Sequence, residues 1–325
     1  MGYSKEVIQR ARVRLEQAKT ERESENQRNL SIAYAREPRL KEIDLELRRS
    51  MILTAQAVFS KSGDVKAAMA QVKENNQALQ QERSELIKAC FEEGFLDESP
   101  ICTRCGGTGY VGASMCECLA ELCRQEQKKE LSVLTGGRES FAQFRLEHYS
   151  HAYDPRYKSS PRDIMEKVLN QCRSYASTFT MDAGNMMFLG GTGLGKTFLA
   201  ACIARTVADR GCSVCYETAS QLFSKLERAK FNSDEEARKE AEKYTSADLL
   251  IIDDLGTEMP GQFVTAALYS LLNERLLGGK PMIITSNLSI EEASRRYSPQ
   301  IASRLFGNFK ILTFLGEDYR ISRNR

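Results

Sequence analysis

Residues 185–197 read NMMFLGGTGLGKT, and this stretch decides the fold. Gly190, Gly191, Thr192, Gly193, Leu194, Gly195, Lys196 and Thr197 fit G-x-x-x-x-G-K-[ST]. An apolar strand precedes them and a helical segment, TFLAACIARTVADR, follows. Glycines let the backbone curl and aim N–H groups at phosphates, and the helix N-terminus adds its positive dipole end. Lys196 is placed to reach the β- and γ-phosphates of ATP, and the Thr197 hydroxyl to bind Mg2+. A chance glycine-rich turn would not bring strand, helix and Lys-Thr together.

Outward from this loop, SVCYETA, LLIIDD, PMIITSN and KILTFLG are short apolar runs. Segments such as GQFVTAALYSLLNERLLGG read as helices between them. Short buried strands alternating with helices predict a largely parallel α/β sheet. LLIIDD is a buried strand ending in two acids. Asp253 is placed to hold Mg2+ directly or through water, and Asp254 to polarise the water that attacks the γ-phosphate. Many related ATPases carry Glu at the second position, so the shorter Asp254 predicts slow or partner-assisted hydrolysis. Asn287 ends the neighbouring strand, where Ser-Asn reads either as a turn signal or as a group that hydrogen-bonds the γ-phosphate or the attacking water.

Residues 1–98 differ in kind, being charged, glycine-poor and periodic. Leu40, Ile43, Leu47 and Met51 recur at helical spacing. Val65, Val72, Leu79 and Leu86 repeat every seventh residue, with Ala68 and Met69 partly filling the second seam. Asn75 and Asn76 interrupt that seam, which predicts a hairpin or small bundle rather than a long coiled coil. Its residual apolar face suits a partner helix.

Between these regions lies CTRCGGTGYVGASMCEC, residues 102–118. The spacing C-x2-C-x10-C-x-C suits a tetrahedral zinc site of Cys102, Cys105, Cys116 and Cys118 as thiolates. A redox C-x-x-C opens a helix, which GGTGY does not. Iron–sulfur ligation uses the same residue type and stays open on spacing alone. Cys90 and Cys123 are near enough to replace one ligand. The expected organisation is a helical partner-binding region over 1–98 and a zinc module over 99–125. A connector and the start of the ATPase domain span 126–178, and the ATPase core spans 179–325.

The 325 residues are 42% apolar and 28% charged with net charge +2, so no whole-molecule field draws the chain to nucleic acid or membrane. No run reaches the roughly 18 apolar residues of a membrane helix. The charged N-terminus lacks a signal-peptide core, and Gly2 has Glu6 where myristoylation needs Ser or Thr. The expectation is a cytoplasmic protein with reduced thiols, including buried Cys172, Cys202, Cys212 and Cys215.

The P-loop, IIDD, TSN, SRL and final YR, in this order, resemble the AAA+ ATPases. Among these the chain is similar to bacterial replicative-helicase loaders of the DnaC/DnaI type and to the helper ATPases of insertion-sequence transposition. The likeness covers about residues 135–325, and the N-terminal part resembles the Gram-positive loaders more loosely. It implies a sensor-1 role for Asn287, a trans-acting arginine finger in Arg304 and a sensor-2 role for Arg320, with Arg323 close enough to compete. The resemblance favours zinc over iron–sulfur. It further implies self-association, a hexameric replicative DNA helicase as partner, and single-stranded DNA contact through residues 224–244, which carry Lys225, Arg228 and Lys230. A transposition helper that binds target DNA is the alternative, although such helpers usually lack a four-cysteine knuckle. A nucleotide-switched adaptor with little hydrolysis is the third reading, kept open by Asp254.

Overall fold

The chain opens on α1 (Lys5–Arg36), α2 (Pro38–Phe59) and α3 (Val65–Cys90). No glycine occurs from Tyr3 to Phe59, and Pro38 starts α2 where its missing N–H costs nothing. The structure, a computed structural model, describes residues 3–59, 65–135, 139–231 and 235–318. It divides into two units: Val13–Cys116, and a larger one of Met1–Arg12 with Glu117–Arg325.

Within the smaller unit α2 and α3 form an antiparallel hairpin, as Arg39 meeting Glu82 and Ser50 meeting Asn76 require. Leu40 and Ile43 are fully buried, whereas Leu47, Val72, Leu79 and Leu86 are half-buried. Asn76, the polar break in the heptad seam, accepts a 2.7 Å hydrogen bond from the Ser50 hydroxyl. The side chains of Met51, Val65, Ala68 and Met69 lie outside those described. Ion pairs supplement the thin core, with Arg83 held by Asp44 at 2.8 Å. A short hairpin, β1 (Tyr110–Val111) and β2 (Ser114–Met115), follows.

The larger unit starts with α4 (Glu117–Thr135) and α5 (Pro161–Ser177). Then come β3 (Asn185–Leu189), α6 (Lys196–Asp209), β4 (Val214–Thr218), α7 (Ala219–Phe231), α8 (Glu235–Ser246) and β5 (Leu249–Leu255). The described part closes with α9 (Gln262–Leu277), β6 (Met282–Ser286), α10 (Ile290–Arg296), α11 (Pro299–Gly307) and β7 (Phe309–Thr313). All five large-sheet strands are parallel, in the order β4-β5-β6-β3-β7. The expected α/β fold with a parallel sheet is thereby realised.

Both sheet faces are covered, which is why the strands are nearly continuous apolar runs. Leu249 and Ile251 join a core with α5 and α6, while Leu250 and Ile252 join a second core with α7, α9 and α11. Tyr3, Val7 and Ala11 are buried, and the Tyr3 hydroxyl donates to the Gly211 carbonyl at 3.1 Å. The first turns of α1 are therefore part of the larger unit.

Candidate functional site

Strand order places β6 between the loop strand β3 and the acid strand β5, with all their C-terminal ends on one edge. Ligands of open α/β sheets bind at that edge. Gly190 has φ 151°, and a Cβ there would stand 2.5 Å from the Phe314 carbonyl oxygen. Gly195 has φ 86°, with the Phe144 ring 2.9 Å from where its Cβ would be. Neither position admits a side chain, so the loop closes tightly onto the N-terminus of α6. Lys196 is buried, and its ammonium donates to the carbonyls of Gly190 at 2.8 Å and Gly191 at 2.6 Å. A cleft beside them is lined by Thr192, Lys196, Thr197, Asp254 and Glu139.

The two acids of β5 part company at a β-bulge. Ile252 pairs with Ile284, but the next pairing is Leu255 with Ser286, so β5 carries one extra residue. A bulge re-aims side chains. Asp253 turns inward at 3% exposure, while Asp254 takes φ 54° and faces outward. Asp253 Oδ1 accepts from Thr197 Oγ1 at 3.1 Å and from Thr285 Oγ1 at 2.6 Å; its Oδ2 accepts from the Tyr216 hydroxyl at 2.9 Å. Burial and the Asp253 charge push the Tyr216 hydroxyl well above its usual range, fixing it as a donor. Thr285 also accepts the Asp254 N–H at 2.9 Å.

Asp253 is thus a buried carboxylate held by three neutral hydroxyls, with no cationic side chain among the described residues paired to it. Buried carboxylates are normally paired or bound to a metal, and oxygen donors of this kind suit Mg2+. Thr197 and Asp253 fit that ion.

Asn287 sits exposed one residue beyond β6. Arg304 is in the last turn of α11, half-buried against Tyr269 and Asn273 of α9. Arg320 and Arg323 lie outside the described residues. Lys225 is drawn onto Glu217 at 2.9 Å and Glu240 at 3.0 Å, which leaves Arg228 and Lys230 as the exposed cations of the 224–231 stretch. Lys230 stands over the rings of Phe231 and Phe263 at 5.7 and 5.5 Å.

Sequence reasoning missed Thr285, Tyr216 and Asp318. The first two are buried strand residues indistinguishable from core. Asp318 accepts from Thr192 Oγ1 at 3.3 Å beside Gly193. Its only signal was its place two residues before Arg320.

The sulfurs of Cys102, Cys105, Cys116 and Cys118 lie within 4.8 Å of one another, with Cys102 and Cys116 at 3.8 Å. Four thiolates about 2.3 Å from a tetrahedral zinc stand about 3.8 Å apart, against about 2.05 Å in a disulfide. The residues fit a metal and not a covalent bridge. Turns, rather than a helix start, carry Cys102 and Cys105, and the Gly109 N–H donates to Cys105 Sγ at 3.3 Å. The cluster includes neither Cys90 nor Cys123. Burial pushes the Cys123 thiol up to about 11.

A family profile described as IstB-like ATP binding protein matches residues 114–325. The replicative helicase loader DnaC of Escherichia coli is 25% identical over 154 residues, 47% of this chain and 63% of that protein. An insertion-sequence ATP-binding protein of Mycobacterium tuberculosis is 34% identical over 116 residues, 35% of this chain and 45% of that protein. The match therefore spans less than two thirds of the length of these curated relatives. Among solved structures, a DnaC helicase loader overlaps 54% of this chain and 98% of its own, at 18% identity and a TM-score of 0.45. No helix among the described residues is long and apolar enough to cross a membrane.

Proposed function

The chain belongs to the IstB-like ATP-binding family, and from that premise we propose that it is an ATP-hydrolysing loader of a hexameric replicative DNA helicase. The observation that carries the ATPase reading is the meeting of Thr197 and Asp253 on one sheet edge, with outward Asp254 at the next position. The DnaC relative supports the loading role. In this reading the N–H groups of residues 190–197 cradle the phosphates and Lys196 exchanges its loop carbonyls for phosphate oxygens. Thr197 and Asp253 would hold Mg2+, which would supply charge neutralisation at the phosphate oxygens, and Thr285 and Tyr216 fix the Asp253 carboxylate. Asp254 orients the attacking water, with Asn287 assisting from just beyond the end of β6. Arg304 stabilises the transferring phosphoryl group of a neighbouring copy, and Arg320 acts in its own subunit.

Zinc in the cysteine cluster, when bound, folds a segment too small for a core of its own. Single-stranded DNA is assigned to the α7–α8 surface, where Lys230 and two rings offer charge and stacking. The helical hairpin is assigned to the helicase. The test measures phosphate release by the full chain with and without a hexameric helicase and single-stranded DNA. Lys196→Ala should abolish stimulated release, and the helicase should co-purify with the wild type. Stimulation by duplex DNA and a transposase, with no helicase retained, would instead favour the transposition helper, a reading that the insertion-sequence relatives keep open. Binding without turnover in every combination would identify a switch-only adaptor.

A further inference from the structure

Arg304 is held differently from Arg124 and Arg296, two other half-buried arginines of the larger unit. Arg124 lies against Glu117 and Glu121, and Arg296 against Glu258. Arg304 has no such carboxylate among the described residues. Its Nε donates to Asn273 Oδ1 at 2.6 Å, its Nη1 to the Gln300 carbonyl at 3.1 Å and its Nη2 to the Tyr269 hydroxyl at 3.0 Å. Its guanidinium carbon also stands 4.5 Å from the centroid of the Tyr269 ring.

These partners orient the group without neutralising it. A guanidinium has five N–H donors. With Nε, Nη1 and Nη2 each using one, two remain, one on each terminal nitrogen. That is the fork that grips two oxygens of a phosphoryl group. The platform itself is stiff. Tyr269 and Asn273 are one helical turn apart on α9 and share a face. Helix α11 is fixed at its start by Pro299 and by the Ser298 hydroxyl, which accepts the Ile301 N–H at 3.2 Å.

We propose that Tyr269 and Asn273 are positioning residues that hold the Arg304 guanidinium, charged and with its fork open, for the phosphoryl group of a second copy of this chain. This rests on the reading of Arg304 given above. Holding the side chain in advance removes the rotamer freedom an unheld arginine would lose at the transition state. Neutral partners keep the whole positive charge for the neighbour.

The test compares steady-state ATP hydrolysis by wild type, Arg304→Ala, Tyr269→Ala, Tyr269→Phe, Asn273→Asp and the Tyr269→Ala/Arg304→Ala double variant. Sizing with a non-hydrolysable ATP analogue and a thermal melt accompany each. Tyr269→Ala should lower kcat roughly 10- to 30-fold, the rotamer freedom regained, with KM for ATP, assembly and melting unchanged. Tyr269→Phe, which keeps the ring face, should recover most of the rate. Asn273→Asp should assemble normally but hydrolyse slowly, because the new carboxylate pairs with the finger. The double variant should be no slower than Arg304→Ala alone. A Tyr269→Ala enzyme at the wild-type rate, while Arg304→Ala is slow, overturns the positioning role. So does an equal further loss in the Arg304→Ala background, which marks Tyr269 as merely structural. Wild-type turnover by Arg304→Ala removes the finger reading itself, a separate failure.

Discussion

Replacing Thr285 by Val removes one hydroxyl and no volume, so it isolates the bridge that ties the two acids of β5 to β6. Thr285 is fully buried, donates to Asp253 Oδ1 at 2.6 Å and accepts the Asp254 N–H at 2.9 Å. A hydrogen bond to a charged group is worth about 1.5–3 kcal/mol and a neutral one about 0.5–1.5. Losing both amounts to about 2–4 kcal/mol, since the isosteric change leaves no cavity to add a further cost. For a unit of this size that lowers Tm by about 4–16 °C. Function should suffer beyond stability. Asp253 keeps Thr197 and Tyr216, so ATP affinity should change little. Asp254, released from the bulge that aims it, should lose kcat by roughly 10-fold or more. Thermal unfolding followed by circular dichroism, nucleotide binding and phosphate release separate these effects, and Thr285→Ser should restore all of them. Wild-type melting and wild-type kcat in Thr285→Val would refute the idea that this hydroxyl organises the acids.

Gly195→Ala should abolish nucleotide binding measured by calorimetry, because φ 86° and the nearby Phe144 ring leave no place for a methyl group. Val7→Asp should lower the melting temperature of the ATPase unit. It buries an unpaired carboxylate at a site only 2% exposed, a cost of several kcal/mol. An unchanged melt would show that the first turns of α1 do not fold with that unit. Chelation or Cys105→Ser should release one equivalent of zinc and collapse the 102–118 turns while nucleotide binding persists; metal analysis beside calorimetry reads both. Burial pushes the thiols of Cys172, Cys202 and Cys215 from about 9 up to about 12. Their protonated form is favoured only in the fold, so this stabilisation is complete below pH 9 and is lost as pH rises toward 12. Unfolding free energy should fall across that window, and these thiols should resist alkylation in the native protein at pH 8.

The phosphate loop was legible because its chemistry is local: glycine spacing, Lys196 and Thr197 act over eight consecutive residues. The cysteine cluster was legible for the same reason, its ligands falling within 102–118. The helical hairpin was partly so. The heptad seam and its polar break could be read, but not that Ser50 would satisfy Asn76. Thr285 and Tyr216 were not legible. Each sits in an apolar strand, where a buried hydroxyl is ordinary until its partner is known. Nor could the sequence assign Lys225, whose charge is absorbed by Glu217 and Glu240 from other elements.

By itself, then, the sequence determined a parallel α/β nucleotide-binding unit, four thiols spaced for a metal and a charged helical region, since each depends on periodicity or short spacing. Only the tertiary structure decided how Asp253 and Asp254 divide. A one-residue slip between β5 and β6 turns one acid inward to Thr197 and leaves the other facing out. Register is a property of two strands whose paired residues lie 31 or 32 positions apart, and no local pattern encodes it. The same holds for Arg304, whose open fork depends on α9 placing Tyr269 and Asn273, and no carboxylate, against it.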